Sequence, residues 1–122
     1  MSKKVLITGS REFDNGLMVL AALEAERVSG ERLILINGGA RGADTIAATL
    51  GDSMPGVLVA TMPADWRNDG RYEGGPIRNS AMLELNPDVV LAFYKTGAAN
   101  KGTQNTVDQA TALGIPVKTF TA

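Results

Sequence analysis

A chain of 122 residues fits one domain and leaves little room for a second. Hydrophobic residues make up 44% and the formal net charge is −1, a balance that argues against a general nucleic-acid binder but leaves room for a local basic cluster. There is no cysteine and no histidine, which excludes a disulfide framework, a thiolate nucleophile, Ser-His-Asp triads and the usual zinc sites.

Met1-Ser2-Lys3-Lys4 runs straight into Val5-Leu6-Ile7-Thr8, the first strand. It lacks the apolar region and cleavage site of a signal peptide. No apolar run approaches membrane-spanning length, so a cytoplasmic protein without a membrane partner is expected. Asn15 to Ser29 reads as a helix with Leu17, Leu20, Ala21, Glu24 and Val28 on one side and Gly30 as its stop. Leu33-Ile34-Leu35-Ile36 is the second strand, and Asp44 to Leu50 the second helix, with Gly51 as its stop. Val57-Leu58-Val59-Ala60 is the third strand, and Ile77 to Leu85 a helix that Asn86-Pro87 ends. Val89 to Phe93 is the fourth strand, Thr103 to Leu113 a helix, and Pro116 to Phe120 the fifth strand. The first four strands are continuous apolar runs, as in parallel strands buried on both faces. The fifth carries Lys118 and suits a sheet edge. This alternation predicts one α/β domain over residues 1–122, a five-stranded parallel sheet with helices on both faces.

In such a sheet, ligands bind outside the carboxyl ends of the strands, so the loops after strands matter most. Gly9-Ser10-Arg11 follows the first strand: a glycine lets a ligand approach the backbone, and an arginine fork suits a phosphate. Gly38-Gly39-Ala40-Arg41-Gly42-Ala43-Asp44 follows the second and leads into a helix, whose amino terminus can hold an anion. Asp44 either caps that helix or contacts a ligand. After the third strand, Met62 to Gly75 is the one long irregular stretch. It holds Asp65 and the sole tryptophan, Trp66, which is either a stacking surface for a base or a cover over the core. Gly75-Pro76 opens a helix, which places Arg78 and Asn79 in its first turn. After the fourth strand, Lys101-Gly102-Thr103 makes a phosphate-friendly helix start. Arg11, Arg41 and Arg78 are predicted to point towards one shared crevice.

These segments, in this order, resemble the YspA, cpYpsA-related SLOG family, within the superfamily that includes the LOG phosphoribohydrolases and the DprA/Smf proteins. Gly38 to Asp44 and Gly75 to Asn79 carry the specific part of the resemblance. It implies a Rossmann-like three-layer α/β/α sandwich with sheet order 3-2-1-4-5. It also implies a nucleotide or nucleotide-derived ligand, such as a nucleoside phosphate or an ADP-ribose derivative. Small members occur in bacteria and phage genomes. Relatives are often dimers or larger, so a homo-oligomer is an expectation of the resemblance alone. The LOG enzymes carry a catalytic glutamate where this chain has Thr106, while the phosphate-binding Gly102-Thr103 is kept.

The expected function is therefore binding of a nucleotide-derived small molecule, as a sensor or by sequestration, with no cofactor and no metal. The ligand-binding residues are predicted to be Gly9, Ser10, Arg11, Gly38, Gly39, Ala40, Arg41, Gly42, Asp44, Asp65, Trp66, Arg78, Asn79, Lys101, Gly102 and Thr103. The alternative is an enzyme acting at an N-glycosidic bond. Without histidine, Asp65 or Asp44 would have to be its acid or base. A DprA-like DNA-associated domain is the third reading. The acidic balance and the lack of a basic stripe tell against it, so nucleic acid is not expected as a partner.

Overall fold

The computed structural model describes residues 2–65 and 74–122. Nine elements alternate along the chain: β1 (Ser2–Gly9), α1 (Gly16–Glu26), β2 (Arg32–Asn37), α2 (Ala43–Asp52), β3 (Val57–Thr61), α3 (Gly74–Leu83), β4 (Val89–Tyr94), α4 (Lys101–Ala112) and β5 (Val117–Thr121). The five strands form one all-parallel sheet in the order β3-β2-β1-β4-β5. This is the predicted Rossmann-like order, with the order of strand addition reversing beside β1.

Alternate side chains of the strands feed two cores, because successive residues point to opposite faces. On one face Val5, Ile7, Leu33, Leu35, Leu91 and Phe93 pack with Val19, Ala22 and Leu23 of α1 and with Ala43 and Ala47 of α2. On the other, Leu6, Ile36 and Val90 pack with Met82 and Leu83 of α3 and Ala110 of α4. Phe93 joins Phe13 and Phe120, with ring centroids 5.2 and 4.9 Å away. Among the described residues no helix is long and apolar enough to cross a membrane.

Several local expectations need correction. The buried side of α1 is Val19, Ala22, Leu23 and Glu26, while Leu17 is 81% exposed. The helix is apolar almost all round, so apolar spacing does not select its inner side. It starts at the expected Asn15, whose Oδ1 accepts from the Met18 N–H (3.1 Å). It ends at Glu26, before Gly30, as Arg27 turns extended and its guanidinium donates to the Pro55 carbonyl. Gly51 lies inside α2 rather than after it, where an added Cβ would stand 2.9 Å from Val59 Cγ2. β3 lies on the edge, as the 3-2-1-4-5 order implies, but its continuous apolar run reads as a strand buried on both faces, whereas Leu58 is 61% exposed.

At the amino ends of the strands, α1 is tied to the sheet by Glu26. Its buried carboxylate meets Lys3 Nζ (2.9 Å) on β1 and Lys118 Nζ (2.6 Å) on β5. Burial pushes this carboxyl's pKa up, but the Lys118 and Lys3 hydrogen bonds and charges outweigh it and hold the group below the ordinary value.

Candidate functional site

The carboxyl ends of the strands open into a cavity of about 680 Å³. Its wall is built from four separate connections. From the β1–α1 loop come Ser10 and Arg11, and from the β2–α2 loop Ala40 and Arg41. Arg78 and Asn79 come from α3, and Lys101, Gly102 and Thr103 from the first turn of α4. Gly9 and Asp44 complete the predicted residues that line it. A smaller recess of about 210 Å³ adjoins it, and Gly38, Gly39, Pro63 and Ala64 line that recess with Arg11, Ala40 and Arg78. The three arginines predicted to share a crevice all line the larger cavity.

The loops close up for reasons that are partly mechanical. Gly9 makes room for a helix: a Cβ there would lie 2.4 Å from the Ala43 Cβ. Its role as a point of ligand approach is thus secondary to the packing of α2 on β1. Gly42, with φ +80° and ψ −130°, is the N-cap of α2 and does not line either cavity. It turns the chain so closely under Ser10 that a Cβ would stand 2.2 Å from the Ser10 carbonyl oxygen. The Ser10 N–H donates to the Phe93 carbonyl (2.9 Å), which extends the β1–β4 ladder to the edge of the cavity.

Asp44 neither caps its own helix nor stands free. Its Oδ2 accepts from the backbone N–H groups of Gly38 (3.0 Å) and Ala40 (3.3 Å) and so holds the glycine loop in place. Its Oδ1 is buried and has no hydrogen-bond partner. Burial raises the Asp44 pKa to about 6, against the pull of the Ala40 and Gly38 N–H groups and the Arg78 charge. The Asp44 proton is therefore held more tightly in the folded protein than in the unfolded chain, where the ordinary value is 3.8. The associated stability is fully present below the unfolded value and is lost as pH rises through the folded one. The ligand-free protein is expected to melt progressively earlier as pH is raised between about pH 3 and 7, with Asp44 contributing roughly 3 kcal/mol across that range. Asp44→Asn should flatten that slope. Thermal melts of both proteins across the range test this, and parallel curves would refute it.

Arg78 is half-buried and lies across the glycine loop. Its Nη1 donates to the Gly38 carbonyl (2.6 Å) and its Nε to Asn79 Oδ1 (2.9 Å). Desolvation lowers its pKa, Asp44 opposes the shift, and Arg11 nearby adds to it. α3 begins at Gly74, so Arg78 and Asn79 stand in its second turn rather than its first. Asn79 Nδ2 donates in turn to Asn105 Oδ1 (3.0 Å) on α4. Arg41 is largely exposed and its contact with Glu12 is loose, 3.7 Å.

α4 starts at Lys101, with Asn100 as an N-cap whose side chain makes no capping bond. That side chain serves the loop instead, meeting Lys95 and Ala98. Thr103 is 2% exposed, and its hydroxyl also has no partner. Thr106 is fully buried and donates to the Gly102 carbonyl (3.2 Å). Beyond the first turn it is the neighbouring Asn105, not Thr106, that lines the cavity. Sequence reasoning missed Asn105 as a wall residue, although it lies on the same helical side as Lys101, four residues earlier. Thr8, Glu12 and Asn100 were missed as well. Asp65 is exposed and lines neither cavity, so of the two proposed acids only Asp44 is at the site. Trp66 lies outside the described residues.

An all-parallel 3-2-1-4-5 sheet with a polar crevice at its carboxyl ends defines a Rossmann-like class of domain. The model of the YspA, cpYpsA-related SLOG family matches residues 3–68, and the chain belongs to that family. The Gene 61 protein of Mycobacterium phage D29 is 37% identical over 97% of this chain and 96% of its own length. The fold is also similar, with a TM-score of 0.63 and 16% identity, to DNA processing protein A from Helicobacter pylori, described for its single-stranded DNA binding mode. That likeness covers 96% of this chain, which spans 64% of the length of the other. It overturns the expectation that nucleic acid is not a partner. A whole-chain charge near zero does not exclude strand binding in this fold, because charge can be concentrated in one crevice.

Proposed function

We propose that the crevice binds the phosphate-bearing part of a nucleotide. The observation that carries this reading is the convergence of Arg11, Arg41, Arg78 and Lys101 from four connections on one cavity, in a chain of net charge −1. Folding alone does not require cations to gather there. The first turn of α4 adds backbone N–H groups and a helix dipole with no acidic residue to oppose them. A cavity of about 680 Å³ is of the size that takes a small molecule. The protein acts as a binder that senses or sequesters its ligand. The LOG-type cleavage has no acid at Thr106, which is buried and turned into its own helix.

The phosphate can belong to a free nucleotide or to a strand. The second source is favoured by the fold shared with DNA processing protein A, a single-stranded DNA binder. Calorimetric titration with nucleoside monophosphates, ADP-ribose and a short single-stranded oligonucleotide tests both. Saturable binding of a mononucleotide supports a free ligand. Binding of the oligonucleotide alone, weakening steeply as salt is added, identifies a strand. Binding of none of them defeats the reading.

A further inference from the structure

Among the described residues only two buried side-chain polar atoms have no hydrogen-bond partner, Asp44 Oδ1 and Thr103 Oγ1. Both residues line the same cavity. They are 5% and 2% exposed. They come from different elements, α2 and α4, so no single turn accounts for the coincidence. A buried polar group left unsatisfied is costly, and a charged one more so. The pair is therefore poised for groups that a ligand brings.

The two atoms ask for different things. The Asp44 carboxylate is fixed by the Gly38 and Ala40 N–H groups through Oδ2, which leaves Oδ1 as a pure acceptor when ionised. A phosphate oxygen beside it would be repelled. The group it suits is a donor, and it stands in a wall whose other charged members are Glu12 and the four cations Arg11, Arg41, Arg78 and Lys101, which suit the phosphate. Thr103 can donate or accept, and it sits in the first turn of α4, where the phosphate is favoured. The ligand must then carry a donor close to its phosphate. In a nucleotide the sugar hydroxyls stand nearest to it, and the base amino groups lie further away.

We propose that Asp44 and Thr103 form a sugar-hydroxyl recognition pair, so that the site prefers a ribonucleotide with free hydroxyls over one that lacks them. This rests on the nucleotide reading above. An internal nucleotide of a DNA strand has no free hydroxyl, so the pair also favours a free nucleotide or a strand end over the interior of a strand.

The test is titration of the full chain with the four ribonucleoside 5′-monophosphates and their 2′,3′-dideoxy counterparts, with inorganic phosphate as control. The expected result is a preference of at least about tenfold for a ribonucleotide. Thr103→Val, which keeps the shape, and Asp44→Asn should each reduce that preference several-fold. Two variants are used because a change at Asp44 also touches the glycine loop. Equal affinity for ribo- and dideoxynucleotides would overturn the proposal and leave the nucleotide reading standing. Absence of binding to mononucleotides and phosphate would overturn the proposal, and if the oligonucleotide does not bind either, the nucleotide reading falls with it. Preference retained in both variants would show that other groups read the hydroxyls and would also overturn it.

Discussion

Replacing Gly42 with alanine is expected to cost at least ~3 kcal/mol of stability and to lower the melting temperature by roughly 10 °C. Two costs combine. At φ +80° and ψ −130° the backbone lies where a residue with a Cβ is strained. The added carbon would also stand 2.2 Å from the Ser10 carbonyl oxygen and 2.8 Å from that of Arg11. These are backbone atoms, not flexible side-chain ends. The Ser10 segment cannot easily move, since its N–H is bonded to Phe93. α2 cannot easily move either, since Ala43 is seated where Gly9 has no side chain. Calorimetry or circular dichroism melts of Gly42→Ala decide the matter. A melting point within about 3 °C of the parent would mean that the turn rearranges cheaply.

Arg78→Ala is expected to weaken nucleotide binding by about 10- to 100-fold, the largest effect of any single cation in the crevice. Its guanidinium is held in advance by Gly38 and Asn79, so little side-chain entropy is lost when a ligand arrives. It also lines both the larger cavity and its recess. Arg41, by contrast, is largely exposed and must be ordered on binding, so Arg41→Ala should cost less. Arg78→Lys should recover little, because an ammonium cannot reproduce the planar fork that spans Gly38 and Asn79. Titrations of the three variants against the parent test the ranking. Unchanged affinity of Arg78→Ala for a nucleotide that the parent binds would remove Arg78 from the site.

The sheet was legible because its signals are strong. Val5 to Thr8, Leu33 to Ile36 and Val89 to Phe93 are continuous apolar runs, and central parallel strands need apolar side chains on both faces. The order of the strands came from the family resemblance, not from their composition. That order already puts β3 on the edge, where composition alone would not have placed it: Leu58 looks like a core residue and is exposed there. The inner side of α1 was hidden because alanine and leucine surround the helix. At the site, the loops and their arginines could be found because glycines and cations after strands are unusual together. The bond from Asp44 back to Gly38 and Ala40 could not, since an aspartate in a first helical turn usually looks like a cap or a dipole partner. Neither could the choice of Asn105 over Thr106 as the side chain facing the cavity. One residue turns a helix by about 100°, and the motif alone does not fix that rotation. The net charge misled about nucleic acid because it averages over a surface whose crevice is cationic.

The Glu26 clamp at the other end of the sheet has a kinetic consequence. Lys118 and Glu26 are 92 positions apart along the chain, whereas Lys3 lies on the strand just before α1. Closing the longer loop costs more entropy and requires β4 and β5 to have been added first. The Lys118 half of the clamp is therefore expected to form late in folding. Interactions absent from the transition state slow escape from the native state more than they speed its formation. The catch that keeps the domain from coming apart is set at the amino ends of the strands, at the opposite end of the sheet from the crevice.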